Sequence, residues 1–580
     1  MTSHYDTKPT VAIHGFDEQA WQGYPAIADR IQRSLEDTRK GIVTVETYPA
    51  VRVAEIVEGL RKALDISKVV YAEDASLPTD KVNSMVERYL TDDRVFGRMA
   101  PFEPDELFDD GRLAELRKEI DHVECGVVLV IGFCASLVTR GDILVYADLA
   151  RWEIQLRYRS GEFCNWKAEN YDEDTLRKFK RGYFFEWRVA DRLKRQLLPE
   201  ICLYLDTNVK NEPKMVTGAA LRGGLQQTSG RPFRLVPYFD PGVWGGHWLE
   251  SHIDLPLQHH PYAWGFDGVP EENSLYFLYG DVCIELPAIN LVFAAPKQLL
   301  GERVYARFGA EFPIRFDFLD TMDGQNLSLQ VHPTTDYIQQ TFGMHYTQDE
   351  SYYILDAKPG AKVYLGLREG VDPEQLMGDL RRAEDGQIPF PVGQYVNTFP
   401  AEKHDHFLIP AGTVHCSGRD CVVLEISATP YIFTFKLWDW DRLGLDGRPR
   451  PVHLLHGFKN LRWDRTTTWV ESELISQVDP VAEGDGWREE RTGLHEFEFI
   501  ETRRHWFSNP VLHATGGSVN VLNLVEGDEA TVVSPTDAFH PFVVHYAETF
   551  IIPAAVGEYV VRPSGPSVGR TIATIKAYVR

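Results

Sequence analysis

The chain has 580 residues, enough for roughly two to four domains, and 43% of its residues are hydrophobic, which is sufficient for sizeable cores. Its formal net charge of -25 is spread along the chain, so nucleic acid and anionic membranes are poor partners and an anionic substrate would need a local basic pocket. The seven cysteines form no CxxC pair, and no window approaches about 18 uninterrupted apolar residues, so neither a disulfide scaffold nor a membrane-spanning helix is indicated. We expect a cytoplasmic protein.

Short apolar runs alternate with helical patterns over the first 210 residues. Strands are predicted at 10–13, 42–47, 68–71, 127–131 and 202–205, with helices from Pro25 and over 53–64. Strands that alternate with helices favour a parallel sheet with helices on both faces. We therefore predict an α/β domain over 1–210.

The composition of the sequence and the spacing of its apolar runs change after this region. Residues 211–232 are rich in Gly and polar residues and predict a linker, and the chain beyond has the short, closely spaced apolar runs of an all-β sandwich or jelly roll. HFLIPAGTVH (406–415) is echoed by TFIIPAAVGEY (549–559), which predicts two related barrels, over 233–465 and 466–580. Aligning the two segments places Glu558 at the position that corresponds to His415.

Four side chains stand in an ordered pattern that predicts a metal site. Gln330 and His332 are two residues apart in LSLQVHPTTDY, so on a strand both point to one face. Glu350 leads into another strand in DESYYIL, and His415 follows the turn residues of PAGTVH. Two imidazoles, one carboxylate and one amide oxygen suit zinc, with manganese, iron, cobalt or nickel as alternatives.

The competing interpretation is that the four predicted ligands are ordinary polar residues on a half-solvated sheet. Other histidines show why it must be considered. His404 and His406 also have two-residue spacing, and we assign them to the approach to the PAGTVH turn rather than to the metal. His259 and His260 are adjacent, so a strand would direct them to opposite faces. The ordered combination of QxHP, a later Glu and PAGTVH distinguishes the predicted set.

These three segments resemble those of type I mannose-6-phosphate isomerases, in the same order. WGG (244–246), FPIRFDFLD (312–320) and LWDWDR (437–442) resemble further segments of that family. The resemblance implies an all-β double cupin from about residue 230 onwards, with the four ligands named above in one barrel and a second, metal-free barrel. It also implies conversion of an aldose to a ketose through an enediol, in which a cation stabilises the enediolate and a base moves the proton.

Three basic positions of the family differ here, which leaves the substrate open. Asp317 and Gln348 stand where lysine is usual, and Lys436 stands where arginine is usual, which keeps the charge but loses the bidentate fork. We predict that Lys436 is the catalytic cation, a solvated lysine at a strand end being the alternative. We also predict that Arg315, which shares a strand face with Asp317, and Arg442 bind the substrate.

The first 210 residues resemble P-loop kinases of the uridine kinase type. Residues 10–15 would be the first strand and phosphate loop, but GxxxxGK[ST] is absent, and Asp17 and Glu18 would repel phosphate. VVLVIGF (127–133) resembles the second core strand, and 183–208 a late helix and strand. Six arginines form either an anion pocket or a solvated helix face: Arg151, Arg157, Arg159, Arg188, Arg192 and Arg195. We expect a degenerate kinase-like fold that does not bind ATP.

Four hypotheses for function follow. The first is a zinc-dependent isomerase that interconverts mannose 6-phosphate and fructose 6-phosphate or acts on a related sugar. The second is a non-catalytic sugar sensor, which the changed basic positions favour and the four-ligand set opposes. The third is an iron-dependent cupin oxygenase, opposed by the Gln ligand and by the WGG and DWDR segments. The fourth, a kinase–isomerase fusion, requires ATP binding to residues 1–210.

Overall fold

The computed structural model describes residues 4–36, 38–428, 431, 433–496 and 498–580. This part of the chain forms two compact units. The α/β unit comprises residues 10–228 and 274–295, and the β unit comprises the segment ending at Pro9 together with 229–273 and 296–580. Residues 274–295 therefore interrupt the sequence of the β unit and fold with the α/β unit.

Strands and helices alternate over residues 10–228. In chain order they are β1 (Thr10–Ala12), β2 (Ala20–Gln22), α1 (Tyr24–Ser34), β3 (Lys40–Thr47), α2 (Val53–Arg61), β4 (Ile66–Tyr71), α3 (Thr79–Leu90), α4 (Asp110–Asp121), β5 (Gly126–Gly132), α5 (Ala135–Val138), β6 (Ile143–Asp148), α6 (Arg151–Arg159), α7 (Thr175–Arg181), α8 (Trp187–Leu197), β7 (Leu203–Asp206), β8 (Lys214–Thr217) and α9 (Gly218–Thr228). Local signals explain the helix starts, because Pro25 lies in the first turn of α1 and the Asp109 carboxylate accepts from Arg112 N to cap α4.

Residues 229–473 are mostly strands with short helices between them. In chain order they are β9 (Tyr238–Gly246), α10 (Trp248–Ile253), β10 (Tyr262–Gly268), β11 (Ser274–Tyr279), β12 (Val282–Pro287), α11 (Ile289–Ala294), α12 (Pro296–Leu300), α13 (Glu302–Phe308), β13 (Arg315–Asp320), β14 (Leu329–Val331), α14 (Thr335–Phe342), β15 (Asp349–Ala357), β16 (Lys362–Leu367), α15 (Pro373–Glu384), α16 (Val392–Tyr395), β17 (Val396–Pro400), β18 (His406–Ile409), β19 (His415–Ser417), β20 (Cys421–Ala428), β21 (Phe435–Trp438), α17 (Leu454–Asn460) and α18 (Thr467–Glu473).

The C-terminal part is a run of strands. They are β22 (Asp479–Gly484), β23 (Trp487–Arg491), β24 (Ile500–Phe507), β25 (Val511–Ala514), β26 (Asn520–Glu526), β27 (Glu529–Val533), β28 (Phe542–His545), β29 (Thr549–Ile552), β30 (Glu558–Pro563) and β31 (Ile572–Val579). Among the described residues, no helix has the length and hydropathy to cross a bilayer.

The main sheet of the α/β unit has the order β2-β8-β7-β6-β3-β5-β4 over the described residues. Its five strands from β7 to β4 pair in parallel, while β8 pairs antiparallel with both of its neighbours, β7 and β2. β5 is almost wholly apolar and buried, as a central parallel strand covered on both faces should be. The predicted parallel sheet is confirmed.

Two expectations for this region are wrong. The predicted linker, 211–232, contains β8, which extends the sheet beside β7, and α9, because both carry buried apolar residues such as Val216 and Leu221. The predicted first strand of a kinase-like sheet, β1, pairs instead in parallel with β11, and β11 pairs with β12. The strand at the centre of the parallel sheet is β3, which residues 48–52 connect to α2 without any glycine.

The β unit contains two antiparallel sandwiches, called here the first and second barrel. The sheets of the first barrel have the orders β18-β15-β20-β13-β10-β9 and β17-β16-β19-β14-β21. Those of the second have the orders β29-β26-β31-β24-β23-β22 and β28-β27-β30-β25. Strand for strand the two orders correspond, except that β21 has no counterpart among the described residues. The prediction of two related barrels is therefore confirmed.

The matching strands also correct one detail of the echo. His415 on β19 pairs with Gln330, and the corresponding pair in the second barrel is Tyr559 with His513. Tyr559 is buried, whereas Glu558 is exposed. The residue of the second barrel that corresponds to His415 is therefore Tyr559 and not Glu558. The turn before β30 is one residue longer than the turn before β19, which shifts the alignment by one position.

Candidate metal centre

Three of the four predicted ligands form a tight cluster inside the first barrel. The potential ligand atoms of His332, Glu350 and His415 all lie within 4.8 Å of one another. The Glu350 carboxylate is 2.7 Å from His415 Nε2 and 3.1 Å from His332 Nε2, and all three residues are fully buried. The fourth, Gln330, has its amide nitrogen 3.3 Å from His415 Nε2. Strands β14, β15 and β19 thus bring the four residues together.

Backbone carbonyls fix the tautomers of both imidazoles. His332 Nδ1 lies 2.9 Å from the carbonyl oxygen of Phe433, and His415 Nδ1 lies 2.9 Å from that of Thr413. Each Nδ1 must therefore carry its proton, which leaves each Nε2 with a lone pair facing the Glu350 carboxylate unless a second proton is added. A divalent cation between the two lone pairs and the carboxylate satisfies all three groups, and this is the usual second-shell pattern of metal-bound histidines. The residues present fit a metal.

The same groups shift each other's pKa values. Burial raises the pKa of Glu350, but His332 and His415 outweigh burial and hold it well below its usual range. Burial lowers the pKa of His332, but the adjacent Glu350 carboxylate raises it above the usual value. The cluster therefore keeps its carboxylate ionised and ready to bind a cation.

A buried acid that the sequence analysis missed lies beside the cluster. Gln348 Nε2 donates to Glu350 Oε2 at 3.0 Å and to Glu425 Oε1 at 3.2 Å. Glu425 also stands opposite Asp317 on the neighbouring strand, and burial together with Asp317 and Glu350 raises the pKa of Glu425 well above its usual value. The available signal was a single acidic residue inside the largely apolar strand CVVLEISA.

Arg315 is buried among acidic side chains. Its Nε is 3.1 Å from the Asp317 carboxylate, a second guanidinium nitrogen is 3.7 Å from Glu272, and the group lies 5.1 Å from the centre of the Phe266 ring. Burial raises the pKa of Asp317 to about 6 although Arg315 opposes it. Arg315 and Asp317 therefore form a direct ion pair inside the barrel.

The two other predicted basic residues differ in placement. Lys436 on β21 stands directly opposite Gln330 on β14, so the two side chains share one face. Arg442 lies beyond the end of β21 and donates to the carbonyl oxygen of Asn326 at 2.6 Å and to Asp439 Oδ1 at 2.5 Å. The contacts of Arg442 stabilise the loop, whereas Lys436 faces the cluster.

Two hydroxyl groups of the same barrel have no hydrogen-bond partner among the described residues. They are the Tyr352 hydroxyl and the Ser427 hydroxyl, both buried. Ser427 stands opposite Glu350, and Tyr352 follows Glu350 on the same face of β15. Hydroxyl groups in this position suit a ligand that itself carries hydroxyls.

His404 and His406 lie elsewhere. His406 Nε2 is 2.8 Å from Ser351 Oγ and its Nδ1 accepts from Gly493 N at 3.0 Å, so both ring nitrogens are engaged. His404 contacts the Tyr353 hydroxyl at 2.7 Å and Glu526 at 3.2 Å. These contacts are structural, as the sequence analysis expected.

In the α/β unit, the carboxyl ends of the parallel strands are filled by the unit's own charges. The Glu46 carboxylate accepts from Cys134 N at 2.6 Å and from Ser136 N at 2.9 Å, occupying amides of the kind that bind phosphates. Lys194 pairs with Asp148 at 2.8 Å, and both side chains are buried. The described strand edge therefore presents neutralised pairs rather than an open anion site.

The arginines of this unit follow the same pattern. Arg157 donates to the carbonyl oxygens of Ala50, Thr207 and Asn208 at 2.7 to 3.0 Å. Arg151 pairs with Asp191 at 2.8 Å. Both arginines are about 1% exposed. For these two, neither the anion pocket nor the solvated basic face is correct, because their guanidinium groups stabilise the fold.

Comparisons with known proteins relate parts of the chain to other proteins. A family model described as a domain of unknown function (DUF8485) matches residues 23–230. Mannose-6-phosphate isomerase ManA of Bacillus subtilis (strain 168) is 25% identical over 229 residues, which is 38% of this chain and 65% of that protein. Mannose-6-phosphate isomerase of Streptococcus mutans is 25% identical over 225 residues, with the same coverage. The matches thus span about 65% of the length of these relatives.

Among solved structures, the mannose 6-phosphate isomerase from Bacillus subtilis is similar with a TM-score of 0.48 and 17% sequence identity. The similarity covers 60% of this chain and all of that structure.

Proposed function

We propose that the protein is a metal-dependent aldose–ketose isomerase that interconverts mannose 6-phosphate and fructose 6-phosphate, or the corresponding forms of a related sugar. The observation that carries the proposal is the cluster of His332, Glu350 and His415 with two fixed tautomers and a carboxylate between them. The similarity to mannose-6-phosphate isomerases supports the reaction class.

Gln330, His332, Glu350 and His415 would hold the ion, and zinc is the metal that best suits two imidazoles, one carboxylate and one amide. The metal would supply Lewis-acid stabilisation of the negative charge that develops on the enediolate oxygens. The four residues are buried in the barrel, and burial strengthens electrostatic interactions with the ion.

The chain's own side chains bind and orient the sugar. Lys436 shares a face with Gln330 and supplies a positive charge to the substrate. The hydroxyls of Tyr352 and Ser427 point toward the same interior and suit the sugar hydroxyls. The carboxyl group of Glu425, two hydrogen bonds from Glu350 through Gln348, is suited to accept or return a proton during the shuttle.

A second function rests on the charges around the cluster. Asp317 and Glu425 bring two carboxyl groups to the pocket, and Arg315 forms an ion pair with Asp317 alone of the two. A protein with these charges is suited to bind a sugar without converting it, as a sensor would. The four-ligand set favours the isomerase, because a binding protein has less need of a metal that can polarise a carbonyl.

The α/β unit serves assembly, regulation or substrate delivery in this proposal. The loop of residues 48–52 has no glycine and no lysine to cradle phosphates, and Glu46 already occupies the nearby amides. We infer that the unit binds no ATP.

The test is turnover by the full-length protein of mannose 6-phosphate, fructose 6-phosphate, mannose and fructose, each with and without a chelator. Chelator-sensitive conversion of any pair supports the isomerase. Tight binding of a sugar to the metal-loaded protein without conversion would instead favour the sensor. A matched control is His406→Gln, which changes a buried histidine that lies outside the cluster.

A further inference from the structure

The matching strand orders allow positions in the two barrels to be compared residue by residue. Glu350 pairs with Ile409, and Asn520 pairs with Ile552, the residue that the echo aligns with Ile409. Asn520 therefore stands where the first barrel has its carboxylate ligand. This position of the second barrel offers an amide and no charge.

The position of the histidine ligand is also changed. Tyr559 replaces His415, and its partner across the strands is His513, where the first barrel has Gln330. The Tyr559 hydroxyl donates to Asn520 Oδ1 at 2.9 Å. Two positions that bind the metal in the first barrel thus hydrogen-bond to each other in the second.

The charges beside this position are reversed between the barrels. Glu425 pairs with Asp317 across strands β20 and β13. The corresponding strands are β31 and β24, on which Lys576 pairs with Arg503. A pair of acids next to the metal site has become a pair of bases, which suits an anion rather than a cation.

Lys576 is the most informative member of the pair. Lys576 is 7% exposed, and its ammonium group lies 5.6 Å from the centre of the Tyr578 ring but makes no hydrogen bond or ion pair to a described residue. Burial lowers the pKa of Lys576 to about 8, although Glu489 raises it, so the group is still mostly charged at neutral pH. A largely buried ammonium group that contacts an aromatic ring but no carboxylate is suited to bind a counter-charge.

The acids nearby are already engaged. Arg503 lies 3.0 Å from Glu489 and 2.5 Å from Glu501, and His505 Nε2 lies 3.1 Å from Glu489. The nearby acids thus contact Arg503 and His505 directly and act on Lys576 only at longer range.

Three buried polar atoms face the same interior without a partner among the described residues: His505 Nδ1, His513 Nε2 and Thr574 Oγ1. Thr574 stands directly opposite His505 and precedes Lys576 by two residues on the same face of β31. The rings of His505 and His513 are 4.4 Å apart. The atoms therefore converge on one region of the barrel.

The contact of His505 with Glu489 defines the chemistry of the ligand. Since Nε2 donates to the carboxylate and burial lowers the pKa of His505, the ring is neutral and its Nδ1 is a hydrogen-bond acceptor. The ligand must therefore offer an acceptor with negative charge to Lys576 and an O–H donor to His505.

We propose that the second barrel binds, between Lys576, Thr574 and the His505–His513 pair, a small oxyanion that also carries an O–H group. A phosphate group in its monohydrogen form and a hydroxycarboxylate share this chemistry. The site is separate from the metal cluster and does not depend on the isomerase reaction.

The experiment is isothermal titration of full-length protein with inorganic phosphate, sulfate, glycolate and acetate at constant ionic strength. Phosphate is expected to bind with Kd of about 1 mM or tighter, and sulfate, which has the same shape but no O–H at neutral pH, about tenfold more weakly. Glycolate and acetate provide the same comparison for carboxylates with and without an O–H group. The tighter binder of phosphate and glycolate shows whether the natural ligand is a phosphate or a hydroxycarboxylate.

Variants locate the site. Lys576→Met should abolish phosphate binding with little loss of thermal stability, because Lys576 forms no ion pair with a described residue and methionine keeps the packing against the Tyr578 ring. The exposed Lys118→Met should bind as wild type. Thr574→Val is the second variant and should weaken binding several-fold. Binding must persist in Glu350→Gln, which rules out phosphate on the metal. No binding up to about 20 mM phosphate, equal binding by the two lysine variants, or equal affinity for sulfate would overturn the proposal.

Discussion

Replacing Glu350 by glutamine removes the charge of the metal cluster while keeping the size of the side chain. Glu350 is fully buried and contacts both imidazoles, at 2.7 and 3.1 Å, so it contributes to every interaction of the cluster. We expect the metal affinity to fall at least about a hundredfold, since even second-shell partners of metal ligands contribute about 10- to 100-fold.

This loss converts into a shift in stability. When free metal exceeds Kd by about a hundredfold, binding stabilises the folded state by about 2.7 kcal/mol, and a hundredfold weaker affinity leaves about 0.4 kcal/mol. At about 2 °C per kcal/mol for a unit of this size, chelation should lower the wild-type transition by about 5 °C and leave that of Glu350→Gln nearly unchanged.

Scanning calorimetry with and without a chelator measures the shift, and elemental analysis after desalting measures bound metal. His406→Gln is the control and should retain its metal, since both of its ring nitrogens contact Ser351 and Gly493 instead of the cluster. Stoichiometric metal in Glu350→Gln, or a wild-type transition that a chelator does not move, would refute the reasoning.

Three further changes test other parts of the account. Lys436→Met should lower kcat/KM about 10- to 100-fold with metal content unchanged, because the lysine faces Gln330 but is not a ligand; equal activity would make it a solvated lysine. Asp317→Asn removes the carboxylate that lies 3.1 Å from Arg315, so Arg315 becomes available to a phosphate group. The ratio of kcat/KM for a phosphorylated sugar to that for the free sugar should then rise about tenfold. An unchanged ratio would mean that Arg315 does not contact the substrate. Burial raises the pKa of Glu46 from 4.5 to about 7 against the opposing amides of Ser136 and Cys134. As the pH rises, the Glu46 carboxyl therefore ionises at a lower pH in the unfolded state than in the folded state. The stability that protonated Glu46 contributes to the wild type is lost between pH 4.5 and about 7. Relative to wild type, Glu46→Gln should then gain about 3 kcal/mol between pH 4.5 and 8 in urea unfolding, and a pH-independent difference would contradict this.

The sequence predicts most of the local structure and the four residues of the cluster. Strand periodicity placed Gln330 and His332 on one face, and the PAGTVH turn positioned His415, because both features depend on residues that are close in sequence. Apolar runs likewise predicted β3 and β5 to within two residues.

The features that were missed depend on pairing between distant segments. The hairpin of β11 and β12 has a local pattern that suits either unit, and its place is decided by pairing with β1, more than 250 residues earlier. Glu425 belongs to the pocket because β20 lies between β13 and β15, an order that no local pattern encodes. The reversal of charge at Lys576 likewise depends on the strand-by-strand correspondence of the two barrels, which pairs Lys576 with Arg503 and Glu425 with Asp317.

The central claim is that the cluster of His332, Glu350 and His415 carries out aldose–ketose isomerisation. Its most direct test is proton NMR of mannose 6-phosphate and of mannose in D₂O with the metal-loaded protein, because an enediol intermediate exchanges the carbon-bound proton with solvent. The account predicts ketose formation with deuterium at the carbon next to the carbonyl, abolished by a chelator and by Glu350→Gln. Neither conversion nor exchange with any sugar, in a protein that holds its metal, would contradict it.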